Sequence, residues 1–311
     1  MRVLVVGGSG FLGQELVRQV VGRGWTAAAT HRSGPGSGPA VDWYRVDLRH
    51  PRRFEDVLAD VAPDAVINAS NGQADWAVTA DGAAHVANAV ANRGCRLVHV
   101  SSDAVFSGAD VHYGEDALPD PVSPYGAAKA AAETAVRVFL PDAAVVRTSL
   151  IIGHGRSAHE RAVHALAAGT RTGVLFTDDT RCPVHVVDLA AALLEITESG
   201  APGMFHVAGP DALNRHDLGV LIARRDGLDP DRLAPGLRSD VAPPGNLDIR
   251  LACRATQSGL RTRLRGAHEF LAVRAGPRTP CSSAESRRLN TSAGTAAELA
   301  PTPRERGTRL D

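Results

Sequence analysis

Up to Gly153 the chain alternates between short runs that are apolar throughout and longer stretches that are apolar on one helical face, and that rhythm leaves few folds open. "MRVLVVGG" is a β-branched run ending in glycine, and "GQELVRQVVGRG" behind it carries apolar residues at helical spacing and closes on a glycine stop. The same alternation recurs as the strand "WTAAAT", a helix around "RRFEDVLADV", the strand "DAVINAS", the helix "GAAHVANAVANRG" and the strand "RLVHVSS". A long helix around "YGAAKAAAETAVRVFL" and the strand "AAVVRTSLIIG" follow. Strands without polar alternation need cover on both faces, so the expected fold is α/β: a doubly wound parallel (Rossmann) sheet over residues 1–153.

Past Gly153 the rhythm loosens. Helical patterns at "HERAVHALAAG", "VVDLAAALLEITESG" and "NRHDLGVLIARRDG", the last with Asn214 as N-cap and Asp217 three residues on, read as a smaller C-terminal substrate lobe. That lobe is expected mainly over 154–275, with later segments returning to the sheet. From Gly276 to Asp311 there is no aromatic and no Ile, Val or Met. Such a stretch buries too little apolar surface to offset its ordering entropy, and it is expected to be a disordered tail.

Composition narrows the partner. With 34 basic and 34 acidic residues the net charge is zero, which gives no footprint for nucleic acid or for an anionic membrane and points to a small-molecule substrate. No apolar run approaches the roughly 20 residues of a spanning helix, and the N-terminus enters a strand with no signal-peptide layout, so a cytoplasmic protein is expected. Cys95, Cys182, Cys253 and Cys281 are scattered without C-x-x-C spacing, so neither a metal site nor a disulfide framework is expected.

The chemistry concentrates in four places. "GGSGFLG" sets Gly7, Gly10 and Gly13 around Phe11 and Leu12 at the first strand–helix junction, where glycines let the backbone approach a pyrophosphate and the helix start holds its phosphates. A tight turn without ligand would use the same glycines. The second strand ends in His31 and Arg32 with no carboxylate, which suits a 2′-phosphate and favours NADP over NAD, NAD remaining the alternative; a solvated loop arginine is the competing reading. Asp47 and Leu48 follow the third strand, where Asp47 could accept from an adenine amino group or cap the next helix. Tyr125 and Lys129 stand four apart on one helical face, and Lys129 is the only lysine of the chain. A chain that uses arginine everywhere else keeps one compact ammonium, which can hydrogen-bond ribose hydroxyls and lower a neighbouring phenol's pKa. Ser101, Ser102 and Asp103 close an inner strand, at the edge where open α/β sheets bind ligands. Ser102 there could hold a carbonyl while Tyr125 protonates its oxygen, turn chemistry being the plainer role for such a serine pair.

The glycine triplet, "NAS" at 68–70, "SSDAVF" and "YGAAK" occur in the order and spacing of the extended short-chain dehydrogenase/reductase superfamily, and within it the chain resembles the dTDP-4-dehydrorhamnose reductase group. "SSDAVFSG" is similar to that group's S-T-D-Y-V-F-x-G, and "LFTDDTRCPVHVVDLA" and "GMFHVAGPDALNRHDLG" resemble its C-terminal blocks, so the similarity runs to about residue 275. The resemblance implies an NADPH- or NADH-dependent reductase of a nucleotide-linked keto-deoxysugar, with Ser102, Tyr125 and Lys129 catalytic. It also implies a cofactor wall of Gly7, Gly10, Gly13, Arg32, Asp47 and Asn68, to which Ala69 and Ser70 beside Asn68 are added, and a homodimer is left open. Two departures concern the substrate: Leu150 stands where the group has tryptophan after R-T-x, and "NGQADWAV" replaces its usual acidic stretch. A nucleotide-sugar epimerase or dehydratase, and a non-catalytic NADP-binding regulatory subunit, are the alternatives. His154, Arg156, His159, Arg161 and Arg171 could face a substrate diphosphate or be solvated helix residues, and Asp188 reads as a helix cap.

Overall fold

A computed structural model of the chain describes residues 1–36, 41–241 and 246–273. The expected tail over 276–311 lies outside the described residues. Seven parallel strands form one sheet: β1 (Arg2–Val6), β2 (Thr26–His31), β3 (Val41–Arg45), β4 (Ala65–Asn68), β5 (Arg96–Ser102), β6 (Ala144–Thr148) and β7 (Gly203–Val207). Their spatial order is β7-β6-β5-β4-β1-β2-β3, so chain direction across the sheet reverses between β1 and β4 and opens a crevice at their carboxyl ends. Register is fixed on both sides of β1, with Val3 opposite Ala27 of β2 and Ala65 of β4.

Both faces of the strands are buried, as the unbroken apolar runs require. Val3 and Val5 point into one core with Leu16 and Val20 of α1 (Phe11–Gly22) and Leu189 and Leu193 of α6 (Val186–Ser199). Leu4 and Val6 point into the other, with residues of α2 (Pro51–Val61), α3 (Gly82–Ala91) and α4 (Pro124–Phe139) such as Phe54, Val86 and Val136. Adjacent residues serving opposite cores are the period-two geometry of a strand.

Three readings of the later segments change. The run "AAVVRTSLIIG" is not one strand: it leaves the sheet after Thr148, and Ile151–Ile152 pairs instead with Val184–His185. An apolar run cannot say where a strand changes partner. The helix α6, read with the lobe, lies against the sheet beside α1, and the strand after it, β7, closes the sheet edge next to β6. Asp188 does not cap α6; His185 does, accepting from the Val187 amide at 3.3 Å, while the Asp188 carboxylate turns to Arg265 at 2.8 Å.

The lobe has its own core, in which Val163 of α5 (Ala158–Ala167) meets Leu218 and Ile222 of α7 (Arg215–Arg225) together with Leu150 and Ile152. Asn214 caps α7 as expected, accepting from the Asp217 amide at 2.8 Å. A capping box of Ser157 and Glu160 starts α5. Glu160 also receives the Gly153 amide at 3.1 Å and pairs with Arg225 at 2.8 Å, which ties the chain leaving the sheet to α7. Among the described residues no helix is long and apolar enough to cross a membrane.

Candidate active site

A cavity of about 770 Å³ lies along the carboxyl ends of the central strands and is faced by the lobe. At one end the glycine turn is shaped by contact rather than by flexibility alone. Gly7 has φ +80°, and a Cβ on it would lie 2.9 Å from the Ser70 backbone; a Cβ on Gly13 would sit 2.2 Å from the Gly7 carbonyl. Gly10 begins α1 with no side-chain cap, so among the described residues no side chain claims the first helical amides, at Phe11, Leu12 and Gly13, which line the cavity. His31, Arg32, Asp47 and Leu48 line the far side of this end, with Ala69 and Ser70 opposite. Arg32 is exposed and makes no ion pair among the described residues. Asp47 does not cap α2, which begins at Pro51 after His50; its carboxylate pairs with Arg49 at 3.1 Å, and Arg49 reaches Asp75 at 2.6 Å.

Asn68 is the one expected wall residue that the fold places elsewhere. It is fully buried behind the wall, accepting from the Ser70 amide at 3.1 Å and the Ser70 hydroxyl at 2.6 Å, with its amide 3.3 Å from His99 Nδ1. It braces Ser70 and does not line the cavity.

In the middle, Ser102 at the end of β5 accepts from the Ala104 amide at 3.2 Å and donates to Asp103 Oδ1 at 3.1 Å. Tyr125 comes to it because α4 starts abruptly: Ser123 accepts from the Gly126 amide at 3.1 Å and Pro124 opens the first turn. A Cβ on Gly126 would stand 2.0 Å from the Ala104 carbonyl, so this glycine lets the helix press the phenol against the strand end. One turn on, Lys129 is buried and donates to the Val100 carbonyl at 3.0 Å.

The electrostatics differ from expectation at the phenol. Burial above all pushes the Tyr125 hydroxyl up to about 12; hydrogen bonds with Ser102 and Asn71 oppose this and the Asp103 carboxylate adds to it. Lys129 is not among the groups that act on the phenol, and its ammonium donates to the strand carbonyl at Val100. Burial pulls Lys129 itself down to about 8, against the pull of Glu133. At neutral pH the phenol is therefore protonated and the ammonium still mostly charged.

The lobe end is a chain of charges. Asp103 Oδ2 accepts from Ser149 at 2.6 Å and lies 3.7 Å from Arg181; Arg181 meets Asp179 at 2.8 Å, and Asp179 meets Arg215 at 3.0 Å. His159 is held down at about 4 by burial and by Arg215, hence neutral. Arg161 and Arg238 also line this end, as does Leu150. Of the five His and Arg residues considered for a diphosphate, His159 and Arg161 line the cavity; His154, Arg156 and Arg171 do not, and Arg156 donates instead to Gln14 at 3.1 Å. Ser149, Asp179, Arg181, Arg215 and Arg238 escaped the sequence reading. None sits in a recognisable spacing, although "TDDTR", with two acids before an arginine, was the available signal. Among the described residues no group of His, Cys, Asp and Glu could hold a metal ion.

A model of the RmlD substrate binding domain family matches residues 1–263. The chain belongs to that family. It thereby falls within the extended short-chain dehydrogenase/reductase superfamily. A dTDP-4-dehydrorhamnose reductase of Mycobacterium tuberculosis is 32% identical over 283 residues, covering 84% of this chain and 85% of the relative. The crystal structure of a hypothetical dTDP-4-dehydrorhamnose reductase from Sulfolobus tokodaii superposes with a TM-score of 0.73 at 27% identity, covering 85% of this chain and 97% of that one. A Bacillus anthracis dTDP-4-dehydrorhamnose reductase in complex with NADP gives a TM-score of 0.74 at 20% identity, covering 87% and 96%, a likeness of fold. The RmlD family match spans both the sheet and the lobe, so both ends of the cavity lie inside it.

Proposed function

We propose that this protein is an NADPH-dependent reductase that converts the keto group of a nucleotide-linked deoxysugar into an alcohol, with NADH as the alternative reductant. The observation that carries the reading is Tyr125, protonated at neutral pH, beside Ser102 and one helical turn from a buried, charged Lys129. The glycine cradle fits a dinucleotide: the turn holds main chain where any side chain would collide, and free helix amides face the space a pyrophosphate needs. A nicotinamide dinucleotide bound there supplies hydride to a carbonyl carbon. Tyr125 then donates its proton to the carbonyl oxygen, Ser102 orients that oxygen, and Lys129 holds ribose hydroxyls with the donors left after Val100. Arg161 and Arg238 at the lobe end suit a diphosphate, and Leu150 makes an apolar contact on the sugar side. The sheet of residues 1–153, with its returning segments, serves the cofactor and the lobe over 154–275 the substrate. In this reading the protein works in the cytoplasm, and a homodimer is compatible with it.

The dehydratase alternative lacks support in the geometry. Asp103, the acid it would use beside Ser102, is committed to Ser149 and Arg181, and no Glu follows it.

The test is consumption of NADPH and NADH by the purified protein offered dTDP-4-keto-6-deoxyglucose and its 3,5-epimer. Stoichiometric oxidation supports the reductase; turnover without net cofactor consumption supports an epimerase or dehydratase; tight binding without any turnover supports a regulatory subunit. In the same assay Arg32→Ala is expected to cut the preference for NADPH over NADH by about tenfold, the scale of one lost charge-assisted contact. An unchanged preference would return Arg32 to a plain surface role.

A further inference from the structure

Behind the cavity, on the buried side of α4, stand three charged side chains whose exposures are each 3% or less: Lys129, Glu133 and Arg147. The proposed reaction uses only the first. Glu133 lies one turn beyond Lys129 on the same helical face, and its carboxylate is gripped from two strands. The Ser101 hydroxyl of β5 donates to Oε1 at 2.5 Å; Arg147 of β6 donates to Oε1 from Nε at 3.0 Å and to Oε2 from Nη2 at 2.8 Å. Arg147 is immobilised in turn, donating to the Ala117 carbonyl at 3.0 Å with its guanidinium 4.8 Å from the Phe106 ring centre.

A buried ion pair is poor material for stability alone, since a well-packed apolar pair of the same volume often holds two elements together as well or better. The arrangement makes sense through its neighbour. An ammonium taken out of water tends to lose its proton unless a negative charge stays near it. Around Lys129 the other groups supply none. Tyr125 on its own helix is a neutral phenol, and His99 on β5 is driven down to about 3 by burial and by Lys129 itself. Asp103, on the turn after β5, faces the lobe, where Ser149 and Arg181 hold it, and the charge that acts on Lys129 is that of Glu133. On α3 and the turn before it, Asp81 is exposed and His85 faces the Leu48 carbonyl. His206, next to Arg147 on β7, is neutral at about 4.

We propose that Glu133, clamped by Arg147 and Ser101, is a positioning residue that keeps Lys129 charged and directed at the cavity. The role given to Lys129 rests on the reductase reading, but the clamp itself can be tested without it. Because the chain has a single lysine, lysine labelled with carbon-13 at Cε yields one resonance, and its titration reports Lys129 alone. In the full-length wild-type protein the midpoint is expected near 8. In Glu133→Gln it should fall by about one pH unit or more, and the alkaline limb of NADPH-dependent turnover should move down with it. Glu133→Asp, which keeps the charge, should restore most of the shift.

Glu133→Gln leaves Arg147 buried without its partner and could unfold the chain, so the double variant Glu133→Gln/Arg147→Met, which carries no orphaned charge, is measured beside it. Its lysine midpoint should also fall, because Glu133 is the charge acting on Lys129. A lysine midpoint unchanged in a folded variant overturns the proposal and leaves the pair a structural bolt. A shifted midpoint in a protein that reduces no sugar nucleotide keeps the positioning role and removes the reductase.

Discussion

At the nucleotide end of the cavity, Gly7, Gly10 and Gly13 present main chain; at the lobe end, Asp103, Arg181, Asp179 and Arg215 present a relay of charged side chains drawn from three distant segments. The first surface is defined by what cannot be there, since a Cβ at Gly13 would stand 2.2 Å from the Gly7 carbonyl. The second is defined by which side chains meet, and Arg181 also anchors the Leu247 and Asn246 carbonyls. The contrast teaches that a fold of this kind can hold its cofactor constant while its substrate changes.

The sharpest test falls where the two ends meet. Tyr125→Phe removes one hydroxyl and is expected to lower turnover by about 10²- to 10⁴-fold while NADPH binding, followed by fluorescence titration, stays as it was. Retained turnover would end the role assigned to the phenol. Gly13→Ala should act on the nucleotide end alone and on structure first, costing about 2–4 kcal/mol in a denaturant titration and most of the NADPH affinity. Ordinary affinity in that variant would mean that backbone exclusion does not shape this end.

Arg215→Met should act on the lobe end alone, raising KM for the sugar nucleotide by about tenfold with the NADPH affinity unchanged. Equal losses for both ligands would erase the separation between the two regions. The smallest effect is expected in stability. Lys129 titrates near 8 when folded, below its ordinary value of about 10.4, so between those pH values the unfolded chain binds more protons and stability rises with pH. Burial of the ammonium thus weakens the fold at neutral pH, and Lys129→Met should raise stability there by about 1–3 kcal/mol while abolishing turnover. In the wild type, turnover should decline as pH rises through about 8, because Lys129 loses its proton while Tyr125, near 12, keeps its own. A fall on the acid side alone would contradict this.

Legibility followed the range of the interaction. Tyr125 and Lys129 could be paired from spacing because a helix brings residues four apart onto one face, and the glycine turn could be read because its constraint is local to the chain. Gly126 was in plain view within "YGAAK", yet its reason, the Ala104 carbonyl 2.0 Å from where its Cβ would be, lies on another element. Asn68 fell in a motif of wall residues but turned inward, because a strand residue and its neighbour face opposite sides of a sheet and Ser70 needed a partner. The helix over Val186–Ser199 read as a lobe helix because amphipathicity says that a face is buried, not against what.

By itself the sequence determined the alternating parallel sheet, the dinucleotide turn at its first junction and the helix that aligns phenol and ammonium, since periodicity and steric exclusion act between residues close along the chain. Only the tertiary structure decided that Glu133 and Arg147 stand behind Lys129, that burial lifts the phenol and lowers the ammonium, and that arginines from four separate segments converge on one end of the cavity. Those facts depend on desolvation and on charges brought together from separate segments, and both come into being only when distant parts of the chain pack together.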